Sequence, residues 1–215
     1  GSFYSCNSLA SVSFPSSLRV IGENAFQQCF ELTEINLPDG IETIREGAFS
    51  GTSIQTFRIP HLVTDVNINM FDECNCLVSV ELSSYVRNIN SDDEEEEDDD
   101  AIQLNRLRNI AIPPECTLSE DIDILEICKD LRVAFPNGDS NTICNALRHR
   151  FDNLPIHKIC YYQSYHDKGA VLGDLKREIN PWTSKFPGQL NPTGKQQDCL
   201  GMTPLHILAC STKQD

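Results

Sequence analysis

Apolar residues recur along the first half of the chain with a period far longer than that of a helix or a strand. Phe3, Phe26, Phe49 and Phe71 stand 23, 23 and 22 residues apart, and each opens a similar series. In the second repeat it is Phe26, Cys29, Leu32, Ile35, Leu37, Pro38, Ile41 and Ile44; in the first, Phe3, Cys6, Leu9, Val12, Phe14, Pro15, Leu18 and Ile21. The third repeat, from Phe49 through Ile54, Phe57, Ile59, Pro60, Val63 and Val66, is one residue short near Thr52. The fourth runs from Phe71 through Cys74, Leu77, Val80, Leu82, Val86 and Ile89, with Ser83 in place of the proline. The phase returns at Leu107, Ile110, Ile112 and Pro113, displaced by an insertion of about seven residues.

Each repeat is one coil that cannot bury its own apolar face, so stability requires stacking. The segment Leu-x-x-Ile-x-Leu-Pro predicts a short strand, with Ile35 and Leu37 inward and Glu34 and Asn36 outward. Proline after it ends the pairing. The piece Gly22-x-x-Ala25-Phe26 turns the chain, and stacked coils are expected to pile Phe on Phe, Cys on Cys and Leu on Leu. The outward positions then form a solvent-facing row: Ser11 and Ser13, Glu34 and Asn36, Thr56 and Arg58, Ser79 and Glu81, Asn109 and Ala111. This row is the candidate protein-binding surface. Its only charges are Glu34, Arg58 and Glu81, which suits a partner of mixed polar character. Arg58 is the first residue to test, because arginine is enriched at interface hot spots.

From Glu115 the strand pattern stops. Residues 119–150 carry apolar positions at mixed spacing and are expected to close the solenoid. In that stretch Ser140 or Asn141 would cap a helix bearing Ile143, Cys144, Leu147 and Phe151.

At this point the chain resembles known families. Val20-Ile21-Gly22-Glu23-Asn24-Ala25-Phe26-Gln27-Gln28-Cys29, followed by Leu32 and Ile35-Asn36-Leu37-Pro38, is similar to the BspA-like leucine-rich repeats, over about residues 1–114. That resemblance implies a right-handed, β-rich solenoid used for binding. Asp198-Cys199-Leu200-Gly201-Met202-Thr203-Pro204-Leu205-His206-Ile207-Leu208-Ala209 resembles the ankyrin signature. It implies a turn at Gly201, a cap at Thr203, Pro204 at the first helical position, and Leu205, Leu208 and Ala209 facing a neighbouring repeat. A weaker echo, Asp152 to Cys160, aligns Pro155 and His157 with Pro204 and His206 at an interval of 49 residues. Against an ankyrin period of about 33 residues this implies an insertion, placed at about residues 173–197. With Tyr161-Tyr162-Gln163-Ser164-Tyr165, the combination is similar to repeat proteins common in diatoms. The expected fold is a mixed α/β repeat. A leucine-rich-repeat solenoid over residues 1–118, with an acidic loop insertion at 91–101, leads through a helical closing segment into divergent ankyrin-like repeats over 151–215. Gly1-Ser2-Phe3 aligns with Gly47-Ala48-Phe49, so the chain reads as a fragment that begins within a repeat.

Charge and cysteine content narrow the function. Of the formal net charge of −15 over 215 residues, nine units lie in the run Asp92 to Asp100. That run reads as a solvated, self-repelling loop; the sharper alternatives are a lure for a basic partner or for weakly held calcium. Ser91 stands in an acidic context suited to phosphorylation. No basic field attracts nucleic acid or an anionic membrane surface, and no apolar stretch of about 18 residues predicts a membrane span. Ten scattered cysteines read as free thiols in a reducing, hence intracellular, compartment.

Candidate chemistry is weak throughout. Cys6, Cys29 and Cys74 recur in phase and read as small buried residues. Cys74-x-Cys76 lacks the spacing of a zinc knuckle. Cys144, His149, His157 and Cys160 are zinc-ligand types, but the ankyrin-like alignment already gives His157 a helix-capping role. Gly188 to Gly194 is one residue too long for a phosphate loop, and Gln196 replaces its hydroxyl residue. The reading is a non-catalytic scaffold that binds another protein and holds no cofactor or metal. The alternatives are a non-catalytic part of a larger enzyme, or a secreted or surface adhesin.

Overall fold

The repeat period fixes which backbone groups meet when one coil lies on the next. In the computed structural model, which describes residues 1–91, 104, 106–120, 122–162 and 196–211, the coils pair in parallel through two rows of short strands. One row is the expected one. β3 (Thr56–Arg58) lies beside β5 (Ser79–Glu81), placing Thr56 opposite Ser79, Phe57 opposite Val80 and Arg58 opposite Glu81, and a bridge from Ser79 to Asn109 continues it. Pairing Ser79 with a residue 30 positions on places the inserted residues between adjacent coils.

The second row was not expected as strands. β1 (Val20–Ile21) pairs with β2 (Thr43–Ile44), and β4 (Asp65–Asn67) pairs with β6 (Asn88–Asn90), which in turn pairs with β7 (Thr117–Leu118). Each of these strands buries a single apolar residue or half-buries it, so no alternation announces it. Conversely, residues 11–13 and 34–36 form no strand, although Glu34 and Asn36 are exposed and Leu37 is buried as expected. At the level of 34–36 and 56–58 the coils meet through Ser53 N–H, which donates to Leu32 O at 3.1 Å.

A third ladder runs through the phenylalanine turns. Phe26 N–H donates to Ala48 O and Gln28 N–H to Ser50 O, both at 2.8 Å. The third residue of this turn is left-handed in four coils: Ser5, Gln28, Gly51 and Glu73, at φ of 55°, 60°, 68° and 55°. Only one of the four is glycine; coil-to-coil bonds from Ser5 N–H to Gln27 O and from Gln28 N–H to Ser50 O, and the Asp72 carboxylate on Glu73 N–H, hold the others in a conformation that ordinarily costs about 1–2 kcal/mol.

Phe3, Phe26 and Phe49 stack at 5.1 and 5.7 Å, with ring planes within 6°. The stack then changes: Phe57, supplied by β3, stands between Phe49 and Phe71 at 5.0 and 4.8 Å. The cysteines at the head of the coils do more than fill space. Cys29 Sγ donates to Phe3 O at 3.2 Å, and Cys74 Sγ to Phe49 O at 3.1 Å. Burial pushes the Cys74 thiol up to about 11. Cys6, in the first coil, is exposed.

Beyond β7 the elements among the described residues are helices: α1 (Ile124–Ile127), α2 (Leu131–Ala134), α3 (Ser140–Arg148), α4 (Pro155–Tyr161) and α5 (Pro204–Ser211). The α3 cap is Asp139, whose Oδ1 accepts from Thr142 N–H at 2.7 Å, rather than Ser140 or Asn141. Ser140 is turned to the Asp123 carboxylate, which caps α1. The solenoid core continues without a break into Ile143 and Leu147 of α3. Ala111, Ile156, Cys160, Tyr161 and Ile207 form a second cluster joining the last coil, α4 and α5. In α5 the buried positions are Pro204 and Ile207. Leu205, expected to face a neighbour, is 73% exposed, and Ala209 is exposed too. Residues 92–101 of the acidic insertion and 173–195 of the later one lie outside the described residues.

Candidate binding face and its closure

The outward row divides into an open half and a closed half. Ser11, Ser13, Glu34 and Asn36 are exposed, and Thr56 and Arg58 are half-buried. Ser79, Glu81, Asn109 and Ala111, expected to face solvent, are instead buried at 3%, 7%, 0% and 3% exposure. The inward and outward assignment of these strands is right in register. What it lacked is a cover, supplied by the segment from α3 to α4 and the turn at Asp198.

That cover reads the backbone. The Tyr161 hydroxyl donates to Val80 O at 2.5 Å and receives Ala111 N–H at 3.1 Å and Leu82 N–H at 3.4 Å. After Val80 N–H donates to Asn109 O, the next ladder bond of a parallel pair would join Ala111 N–H to Val80 O. The tyrosine oxygen stands between those two groups and serves both. Burial raises the Tyr161 phenol far above its ordinary value, which keeps it a neutral donor.

Arg150 performs the same office one step along. Its Nη1 donates to Ile110 O at 2.7 Å, its Nε to Asp198 Oδ2 at 2.8 Å, and its guanidinium lies 4.8 Å from the Phe151 ring centre and 5.4 Å from that of Tyr161. Asp198 Oδ1 in turn accepts Leu200 and Met202 N–H, each at 2.9 Å. Both charged side chains are wholly buried. A pair so enclosed is held by its full set of hydrogen bonds, and loss of either partner leaves an uncompensated charge. The sequence reading passed over Arg150; the aromatic residues at 151, 161 and 162 were the available signal, since a buried arginine needs ring faces as well as an anion.

At the border of the two halves lie Arg58 and Glu81. Arg58 Nη2 donates to Asp39 Oδ1 at 2.8 Å and, more weakly, to Leu37 O at 3.4 Å, which holds the guanidinium at the edge of the open half. Glu81 faces Arg58 across the ladder on one side and lies by Tyr161 and Tyr162 on the other. Burial pushes its carboxyl up to about 8, and the nearby Arg58 charge offsets only part of that.

The other candidate chemistry does not converge. His149 pairs with Asp152 at 2.9 Å, and His157 Nε2 meets Gln196 O at 2.8 Å. Among the described residues no group of three histidine, cysteine or acidic side chains is placed to hold a metal. No described helix is long and apolar enough to cross a membrane. All ten cysteines are unpaired thiols.

The BspA type leucine rich repeat region matches residues 1–117 in six copies. Similar solved structures include a leucine-rich repeat protein from Bacteroides ovatus, at 23% identity and TM-score 0.40 over 54% of this chain and 35% of that one. A leucine rich cell surface protein from Faecalibacterium prausnitzii gives 33% identity and TM-score 0.45 over 54% of this chain and 30% of that one. The T. pallidum leucine rich repeat protein gives 30% and 0.35, over 51% of this chain and 57% of that one. The chain thus spans between 30% and 57% of the length of these structures. No curated protein matches it. With the coil-to-coil register, the phenylalanine stack and a family pattern that extends from residue 1 to residue 117, the chain belongs to the BspA-type leucine-rich-repeat family.

Proposed function

We propose that the chain is a non-catalytic interaction scaffold whose protein partner lies on the open half of the outward row, from Ser11 to Arg58. The observation that carries this is the division of the row. Ser79, Glu81, Asn109 and Ala111 are covered by the chain itself, while Ser11, Ser13, Glu34 and Asn36 are exposed beside an arginine that Asp39 holds in place. A guanidinium already fixed loses less freedom on binding, which is what a hot-spot residue needs. The test is affinity capture with the full-length protein, followed by Arg58→Ala. The reading expects binding to weaken by more than about 1 kcal/mol, with Thr43→Ala, on the other strand row, silent. A silent Arg58 change with a damaging Thr43 change would move the partner to the opposite row.

The helical part is read as divergent ankyrin-type repeats following a right-handed solenoid. At α5, Thr203 Oγ1 lies 3.2 Å from His206 Nδ1 and accepts His206 N–H at 3.4 Å, the cap that the Thr-Pro-Leu-His spelling calls for. At α4, Leu154 stands where Thr203 stands, and His157 Nδ1 has no hydrogen-bond partner among the described residues, so the helix-capping role expected of His157 is not met there. The ten thiols, eight of them with a pKa raised chiefly by burial, support an intracellular setting. Thiol titration of the purified chain should then return all ten.

A further inference from the structure

At the head of the first four coils, the position three residues after the leading phenylalanine holds Cys6, Cys29, Thr52 and Cys74. Coils three and four show how two such side chains meet. Cys74 Sγ donates to Phe49 O at 3.1 Å and lies 3.5 Å from Thr52 Oγ1. Cys29 makes the first of these contacts with coil one, donating to Phe3 O at 3.2 Å. The side chain in the place of Thr52 is then Cys6. Its backbone N–H turns toward the Cys29 sulfur, and its thiol stands close enough to act on any charge there. Phe3 N–H to Ala25 O at 2.8 Å and Ser5 N–H to Gln27 O at 2.9 Å fix that register from the backbone.

Backbones joined in this way run about 4.8 Å apart, within the span of about 4.4–6.8 Å between Cα atoms that a disulfide bridges. The two thiols differ in access: Cys6 is exposed and Cys29 is buried behind it. Thr52 separates Cys29 from Cys74, so the row of thiols stops at two. Coil one is also the coil with most to gain from a tether. Phe3 and Tyr4 are 39% and 53% exposed, whereas Phe26, Phe49 and Phe71 are buried, and residues 11–13 form no strand against coil two.

We propose that Cys6 and Cys29 form a redox-closable pair, a disulfide site that fastens coil one to coil two under oxidising conditions. The oxidant is a small disulfide of the glutathione class. The Cys6 thiolate attacks one of its sulfurs, forming a mixed disulfide and expelling one thiolate. Cys29 then gives up its proton, leaves Phe3 O and attacks the Cys6 sulfur; the Cys6–Cys29 bond forms as the mixed disulfide breaks and a second thiolate departs. Two protein thiols lose two electrons, the small disulfide is reduced to two thiols, and both protons end on those thiols. Burial raises the Cys29 thiol, so the second step paces closure. The pair lies at the coil heads, apart from the open outward row, and neither reading rests on the other.

The test incubates the reduced full chain with oxidised glutathione, blocks the remaining thiols with iodoacetamide, isolates the monomer and maps its tryptic peptides without reduction. Cys6 and Cys29 fall in separate peptides, 1–19 and 20–45, while Cys74 and Cys76 share 59–87. A joined 1–19/20–45 species should be the main oxidation product, and dithiothreitol should reverse it. Cys6→Ser should leave Cys29 reduced. Cys29→Thr, which installs the residue that coil three carries in that place, should stop at the Cys6–glutathione adduct. In the closed form the amides of Phe3 and Ser5, both bonded to coil two, should exchange about tenfold more slowly than in the reduced chain. Cys6 ending in the intact chain only as the glutathione adduct or in a link between two chains, or amide exchange unchanged on closure, would each overturn the proposal.

Discussion

Glu81 folds into a place where its charge is costly. Its carboxyl, at about 8 in the folded chain against an ordinary 4.5, is raised by burial. The folded state therefore binds more protons than the unfolded state between those two values, and stability falls as pH rises through that window. It is fullest below about 4.5 and levels off above about 8. Each unit of difference is worth about 1.4 kcal/mol, so the effect amounts to a few kcal/mol. Glu81→Gln should remove it: denaturant melts of the two proteins should diverge steadily between about pH 5 and pH 8, with the variant the more stable at the alkaline end. Parallel curves would show that Glu81 stays ionised in the fold. Tyr161→Phe tests the other side of the same contact. Three backbone groups share that hydroxyl, and leaving them unserved should cost about 1–3 kcal/mol in the same assay. The register that sets Arg58 opposite Glu81 was legible from the repeat. The burial of Glu81 was not, because its cover comes from a tyrosine 81 positions beyond Val80, in a segment with no repeat to phase it.

The coil is the element, and its tolerance follows from which row a residue occupies. Leu32 is fully buried between neighbours, so Leu32→Ala should cost about 2–5 kcal/mol, whereas Glu34→Ala, exposed two residues on, should stay within about 0.5 kcal/mol. Equal unfolding midpoints would contradict the packing described. The left-handed turn makes a prediction of opposite sign. Gln28 holds φ at 60°, the conformation that Gly51 supplies in the next coil, so Gln28→Gly should be neutral or stabilising by about 1 kcal/mol even though glycine in most places destabilises. One row of strands was legible because Ile-x-Leu alternates. The other, Val20–Ile21 to Thr117–Leu118, was not, since two- or three-residue strands with one inward apolar position have no pattern beyond the repeat itself. The left-handed turn was equally hidden, being spelled Ser5, Gln28, Gly51 and Glu73.

At the scale of the molecule, the solenoid and the helices share one buried boundary. Arg150 touches the last coil, the aromatic cluster and the Asp198 turn together, so its removal acts on all three. Arg150→Ala should cost about 3–5 kcal/mol, and Asp198→Ala a comparable amount, because each strands the other's charge. Coupling of this kind makes the closed half of the outward row a permanent part of the fold and leaves the open half exposed. Residue-resolved amide hydrogen exchange tests that division most directly. Leu82 and Ala111 N–H, served by Tyr161, should exchange as slowly as the ladder amides of β3 and β5 in the intact chain, and Tyr161→Ala should release them selectively while the amides of Phe26 and Gln28 stay protected. Exchange of Leu82 and Ala111 in the intact chain as fast as that of the exposed Glu34 and Asn36 would contradict it, and would place the whole row, from Ser11 to Ala111, in solvent.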